Sequence, residues 1–299
     1  MSSLLLLLPL LAQVGPASTL PSAQRPYASE LPLEIIEKKD KQDRDRRARE
    51  AQNVAMPSIG GGSGSGAGCM SAVEANPEKS VEVIRSALAD AVGRERVRAG
   101  LCLGVALSDL NRWDEARAAF SDARDTAESE DHASRARLGA MAGNAALAAG
   151  QPGQALSLLA PAATDAKIVG DAELTATIAL DRARALVAVK QPEEAANALA
   201  EARAAQPDNA QAWLLSATLS RRQDKLAVAQ TQIEKAASLA PQDPEIGLEA
   251  GVIAMLSDNE AAARRSWDSV VKTAPSSDAA VTAKQYLSQL GAPDPAPAK

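Results

Sequence analysis

Large rings are scarce in this 299-residue chain: three Trp, two Tyr and one Phe make up 2% of it. A closed globule of this length normally fills its core with more of them. Apolar residues still reach 46%, so the burial has to come from small aliphatic side chains, Ala above all. Ala is the best helix former and lets backbones approach closely. Histidine occurs once, at His132, and cysteine twice, at Cys69 and Cys102. Zinc sites draw several ligands from Cys, His and carboxylates, and catalytic dyads usually use His as base. A single His beside Asp131 reads instead as an exposed residue in the first turn of a helix. Neither G-x-S-x-G nor a Rossmann fingerprint is present. Basic residues are not in excess, at 32 against 38 acidic ones for a net charge of -6 and a pI near 5.1, which argues against nucleic acid. No cofactor or metal is implied, and the chain does not read as an enzyme.

No apolar run is long enough to span a bilayer, which takes about 20 residues. The leucine-rich stretch from Leu4 to Ala12 has instead the length of an export-signal core. Ala17 or Ala23 would end it, although no Lys or Arg precedes the leucines. Residues 1–23 are therefore expected to direct the chain out of a bacterial cytoplasm, to the periplasm or beyond. Residues 24–58 are polar, and Glu34 to Glu50 interleaves seven basic with six acidic residues, the texture of a solvated helix or of disorder. Gly60 to Gly68, GGGSGSGAG, follows as a flexible linker. A phosphate loop would need Lys and Ser or Thr next, whereas Cys69 and Met70 stand there. Residues 24–68 are thus expected to be a charged, Gly/Ser-rich disordered linker.

Beyond Cys69 a period appears. Pro207, Pro241 and Pro275 stand 34 residues apart, and Ala195, Ala229 and Ala263 keep step. Earlier copies carry Ala116 and Ala155 in the same role. Small residues at Gly104, Gly143, Ala183, Ala217 and Gly251 are followed by Phe120, Leu159, Leu199, Ile233 and Trp267. A fixed period with small residues in phase is the mark of stacked helical hairpins. Small positions let the paired helices cross closely while larger ones fill between turns. Pro152 and Pro192 fit the first turn of second helices, and Pro207, Pro241 and Pro275 stop them. Asp278 to Leu290 reads as a capping helix closed by Gly291, and 292–299 as a disordered Pro-rich tail.

This set of positions resembles the tetratricopeptide repeat, most fully from Leu103-Gly104 through Phe120 and from Trp213 through Pro241. Two positions depart from the family pattern: Arg182 stands where Leu is usual, and Ser220 where an aromatic is usual. The resemblance covers about 69–291 and implies an all-α, right-handed superhelical solenoid of antiparallel helix pairs. It also implies a protein or peptide partner held in a groove lined by the first helices. Residue by residue that lining would include Arg98, Arg137, Asn144, Arg184, Arg221 and Arg222, with Leu248, Val252 and Met255 toward the C-terminal end. Cations beside an apolar end would suit an extended segment carrying carboxylates and hydrophobes. The blander reading is that these arginines solubilise their helices. Ala140 stands where the family's carboxylate clamp would need Lys, so that specialised use is not supported. Trp213, Trp267 and Phe120 fall on core positions.

In an exported protein the two cysteines are expected to form a Cys69–Cys102 disulfide rather than two separately buried thiols. Lipid attachment at Cys69 does not fit a signal core some fifty residues upstream. The reading that results is an exported scaffold or adaptor without catalysis. Its rivals are a structural subunit or assembly factor of a bacterial envelope complex, docking through residues 31–52, and an accessory repeat domain of an enzyme.

Overall fold

A computed structural model describes residues 66–290, in which there are thirteen α-helices and no strand. The expected signal, most of the linker and the tail lie outside the described residues. The helices are α1 Gly66–Ala75, α2 Pro77–Asp90, α3 Gly93–Asp109, α4 Trp113–Thr126, α5 His132–Ala148, α6 Pro152–Val169 and α7 Ala172–Ala188. They continue with α8 Pro192–Ala205, α9 Ala210–Arg222, α10 Leu226–Leu239, α11 Pro244–Leu256, α12 Glu260–Thr273 and α13 Asp278–Leu290. Helix begins at Gly66, so the last three residues of the expected linker belong to α1.

From α3 onward the helices pack as hairpins, α3 with α4 through α11 with α12, and each hairpin leans on the next. The result is a solenoid of antiparallel helix pairs. Its close crossings are set by side-chain size. A Cβ on Gly143 would come within 2.5 Å of Leu159, and one on Gly104 or Gly251 would overlap the ring of Phe120 or Trp267. The paired residues are buried in every repeat, Ala183 with Leu199 and Ala217 with Ile233 included. α13 closes the C-terminal end by burying Ala279, Ala280, Ala283 and Tyr286, whose ring lies 4.9 Å from that of Trp267. At the other end Cys69 of α1 is bonded to Cys102 of α3, with Cα atoms 6.2 Å apart.

The turns repeat as faithfully as the core. Asn111, Gly150, Lys190, Asp224 and Asp258 all have φ between 57° and 73°, each five residues before its anchoring Ala. The N–H of Arg112 donates to the Leu107 carbonyl at 2.8 Å and that of Asn111 to Ser108 at 3.0 Å; the other four turns show the same pair of bonds. This double closure satisfies carbonyls that the helix end would leave orphaned. Starts are equally regular. Asp131, Asp171, Asn209 and Asp243 accept from backbone N–H groups of α5, α7, α9 and α11. Pro152, Pro192 and Pro244 open α6, α8 and α11, where a missing N–H costs nothing. Pro207, Pro241 and Pro275 each stand two residues past a second helix.

Candidate functional site

The first helices of the hairpins, α3, α5, α7, α9 and α11, form one face of the solenoid and the second helices the other. The residues expected to line the inner face divide into two groups. Arg98, Arg137 and Arg222 are exposed. Arg137 has one weak neighbour, with Nη2 4.0 Å from Asp171 Oδ2, and Arg98 and Arg222 have no ion pair among the described residues.

Asn144, Arg184 and Arg221 are instead tied to the chain's own carboxylates. Asp181 of α7, only 1% exposed, accepts from Asn144 Nδ2 at 2.9 Å and from Arg184 Nη1 at 2.6 Å. The first of these bonds joins α5 to α7, the first helices of successive repeats. Arg221 Nε donates to Glu249 Oε1 at 2.6 Å, and both side chains are 3% exposed. That bond joins α9 to α11. The expectation that Arg221 projects into an open groove is therefore corrected: it is buried, because a carboxylate 28 positions later in the neighbouring repeat takes it. The apolar end needs a similar correction. Leu248 and Val252 are buried in the cluster that α13 completes, which leaves only Met255 partly exposed.

Carboxylates also stitch the outer face. Glu115 of α4 accepts from Arg112 at 2.7 Å and from Arg85 of α2 at 2.5 Å, and these bonds hold its carboxyl below the usual Glu range. Asp165 of α6 takes Arg124 of α4 at 3.3 Å and His132 Nδ1 at 2.8 Å. His132 is thus partly buried in a polar cluster rather than being a free first-turn residue. Glu201 of α8 takes Lys167 of α6 at 2.7 Å and Arg182 at 2.9 Å. Burial pushes the Glu201 carboxyl up, but the two cations outweigh it and the group lies below its ordinary range. Both departures from the family pattern carry polar bonds: Arg182 in this pair, and Ser220, whose hydroxyl donates to Gln232 Oε1 at 2.8 Å.

Phe120 and Trp267 are buried as expected, at 2% and 0% exposure. Trp213 is not fully covered. It stands in the first turn of α9, its indole N–H donates to the Pro207 carbonyl, and Arg203 lies 4.9 Å over its ring. It lines an open depression of about 680 Å³ with Ala200, Ala204, Ala227, Val228, Thr231 and Gln232. No helix in the described residues is long and apolar enough to cross a membrane.

Residues 180–244, from the middle of α7 to the start of α11, match the family profile described as tetratricopeptide repeat. With the hairpins, close crossings and in-phase turns on either side of that window, the family is decided. The chain carries tetratricopeptide repeats.

Solved structures agree at the level of fold. PilF of Pseudomonas aeruginosa superposes with a TM-score of 0.58 at 15% identity, over 82% of this chain and 98% of that one. PilW, titled a widely conserved type IV pilus biogenesis factor, gives 0.58 at 18%, over 72% and 94%. BtubC of P. vanneervenii gives 0.56 at 16%, over 76% and 96%. None of the curated proteins matches the chain. A tetratricopeptide-repeat stack of this kind is an interaction scaffold: it offers a long face to protein partners.

Proposed function

We propose that this protein is an exported, non-enzymatic scaffold that holds an extended segment of another protein along the inner face of its repeats. One observation carries the reading, the split among the inner-face cations. Asp181 and Glu249 fix Asn144, Arg184 and Arg221 inside the stack, so the face is braced before any partner arrives. Arg98, Arg137 and Arg222 stay exposed along it, where guanidinium groups can pair with carboxylates in two parallel hydrogen bonds. Preorganisation of this kind lowers the ordering cost of binding. Export is supported by the leucine-rich start of the chain and by the Cys69–Cys102 bond, since disulfides persist in oxidising compartments.

Two experiments test the two halves of this reading. Cell fractionation with N-terminal sequencing should find the protein outside the cytoplasm and starting at Ser18 or Gln24; an intact Met1 on cytoplasmic protein defeats the export half. For the binding half, Arg98, Arg137 and Arg222 are changed together to Ala, and partner recovery from the envelope fraction is set beside the melting curve. Each charge-assisted bond is worth roughly 1.5–3 kcal/mol, so recovery should fall about ten-fold or more while melting stays close to wild type. Unchanged recovery by a folded variant rejects the groove.

A further inference from the structure

The outer face carries a run of ion pairs that stops at one place. Arg85 of α2 is met by Glu115 of α4, Arg124 of α4 by Asp165 of α6, and Lys167 of α6 by Glu201 of α8. In each case a cation on one outer helix finds a carboxylate on the next. Arg203 of α8 is the following cation in the series. The next outer helix, α10, offers it Thr231 and Gln232 instead, and no acid lies within ion-pair distance of it among the described residues. Arg203 is half-buried, and burial pulls its guanidinium below the usual Arg range with no anion to compensate. Its guanidinium carbon lies 4.9 Å from the centre of the Trp213 ring. Beside it run Ala200, Ala204, Ala227 and Val228, the last 48% exposed. The depression is therefore apolar, cationic at one point and free of acid. An aromatic shelf and an unmatched guanidinium next to aliphatic side chains call for a ligand with carboxylates and branched hydrophobes together.

Outside the described residues the chain contains one stretch of that composition. Residues 30–37 read Glu-Leu-Pro-Leu-Glu-Ile-Ile-Glu, with three carboxylates, four large aliphatics and no base. It lies after both candidate signal ends. The 28 residues between Glu37 and Gly66 can reach about 90 Å when extended. Even eight helix-to-helix steps from α1 to α9, at up to about 10 Å each, make roughly 80 Å. We propose that residues 30–37 dock intramolecularly on the Trp213–Arg203 shelf, so that the chain's own N-terminal segment supplies the carboxylate that α10 lacks. This docking does not depend on the inner-face reading, since it uses the opposite side of the repeats. It would bring the charged stretch after residue 37 against the outer face as well.

The test uses the full chain with a photo-cross-linking benzoylphenylalanine in place of Val228. Irradiation should join that position to peptides containing residues 30–37, in a band of monomer mass. Arg203→Glu should lower the yield about ten-fold. Adding Glu30→Lys, Glu34→Lys and Glu37→Lys to Arg203→Glu should restore it, because opposite charges face each other again. The proposal is overturned by adducts that miss residues 30–37, by a yield indifferent to Arg203→Glu, or by failure of the reversed charges to restore it. Adducts confined to a band of twice the mass also overturn it, because the occupant is then a second copy.

Discussion

Arg221 and Arg203 sit one repeat apart on opposite faces of the same solenoid, and they teach opposite lessons about a cation in a repeat protein. Arg221 lies on the face where partners are expected, yet it is sealed against Glu249 with both side chains at 3% exposure. Arg203 lies on the face that usually only packs, yet it is half-buried over Trp213 with no acid beside it. Position on the repeat is thus a poor guide to availability. What decides is whether a neighbouring repeat supplies the counter-charge. Where it does, the cation braces the stack; where it does not, the cation can serve a ligand.

The comparison breaks first, and most visibly, at Arg221. Arg221→Ala leaves Glu249 charged and buried without Arg221, which typically costs about 3–5 kcal/mol. Chemical denaturation should show the midpoint falling sharply with no loss specific to binding. A change within experimental error would mean that the pair is not braced. Asp181→Ala should come next, at about 1–3 kcal/mol, because Asn144 and the partly exposed Arg184 lose their acceptor but can turn toward water. The smallest effect should be at Arg203. Arg203→Ala removes one cation–π contact near the surface, worth about 0.5–1 kcal/mol, so its melting curve should stay close to wild type. If Arg203→Ala destabilised as much as Arg221→Ala, the distinction between the two faces would collapse.

Much of the fold was legible in the sequence because repetition multiplies weak signals. The 34-residue step of the prolines and the alternation of Gly104 with Phe120, or Gly251 with Trp267, correctly marked the crossings. A second periodic signal was also there to be read. Asn111, Gly150, Lys190, Asp224 and Asp258 follow the same steps as the anchoring alanines and occupy the left-handed turn each time. Asn, Gly and Asp suit that conformation and Lys does not, so Lys190 hid the series. The start of α1 at Gly66 is hidden in the sequence because Gly64, Gly66 and Gly68 alternate with Ser65 and Ala67 and read as linker. The site was less legible. Asp181, three residues before Arg184, was visible as a helical neighbour, but Glu249 reaches Arg221 only because adjacent first helices stack side by side. Leu248 and Val252 were expected on the groove because the repeat pattern places them on a first helix; the capping helix α13 covers them. Trp213 sits in the first turn of α9, where packing is incomplete, so a core position on the pattern became a shelf in the structure.

The central claim is that part of the inner-face charge, at Arg221 above all, is consumed within the protein before a partner binds, while Arg98, Arg137 and Arg222 stay open. A double-mutant cycle on Arg221 and Glu249 tests it most directly, using the unfolding free energies of wild type, Arg221→Ala, Glu249→Ala and the pair. Contacting groups couple by roughly 0.5–3 kcal/mol, and a pair this buried should fall near the top of that range, with the double variant more stable than the sum of the single losses implies. Strict additivity would contradict the claim, and would return Arg221 to the set of residues open to a partner.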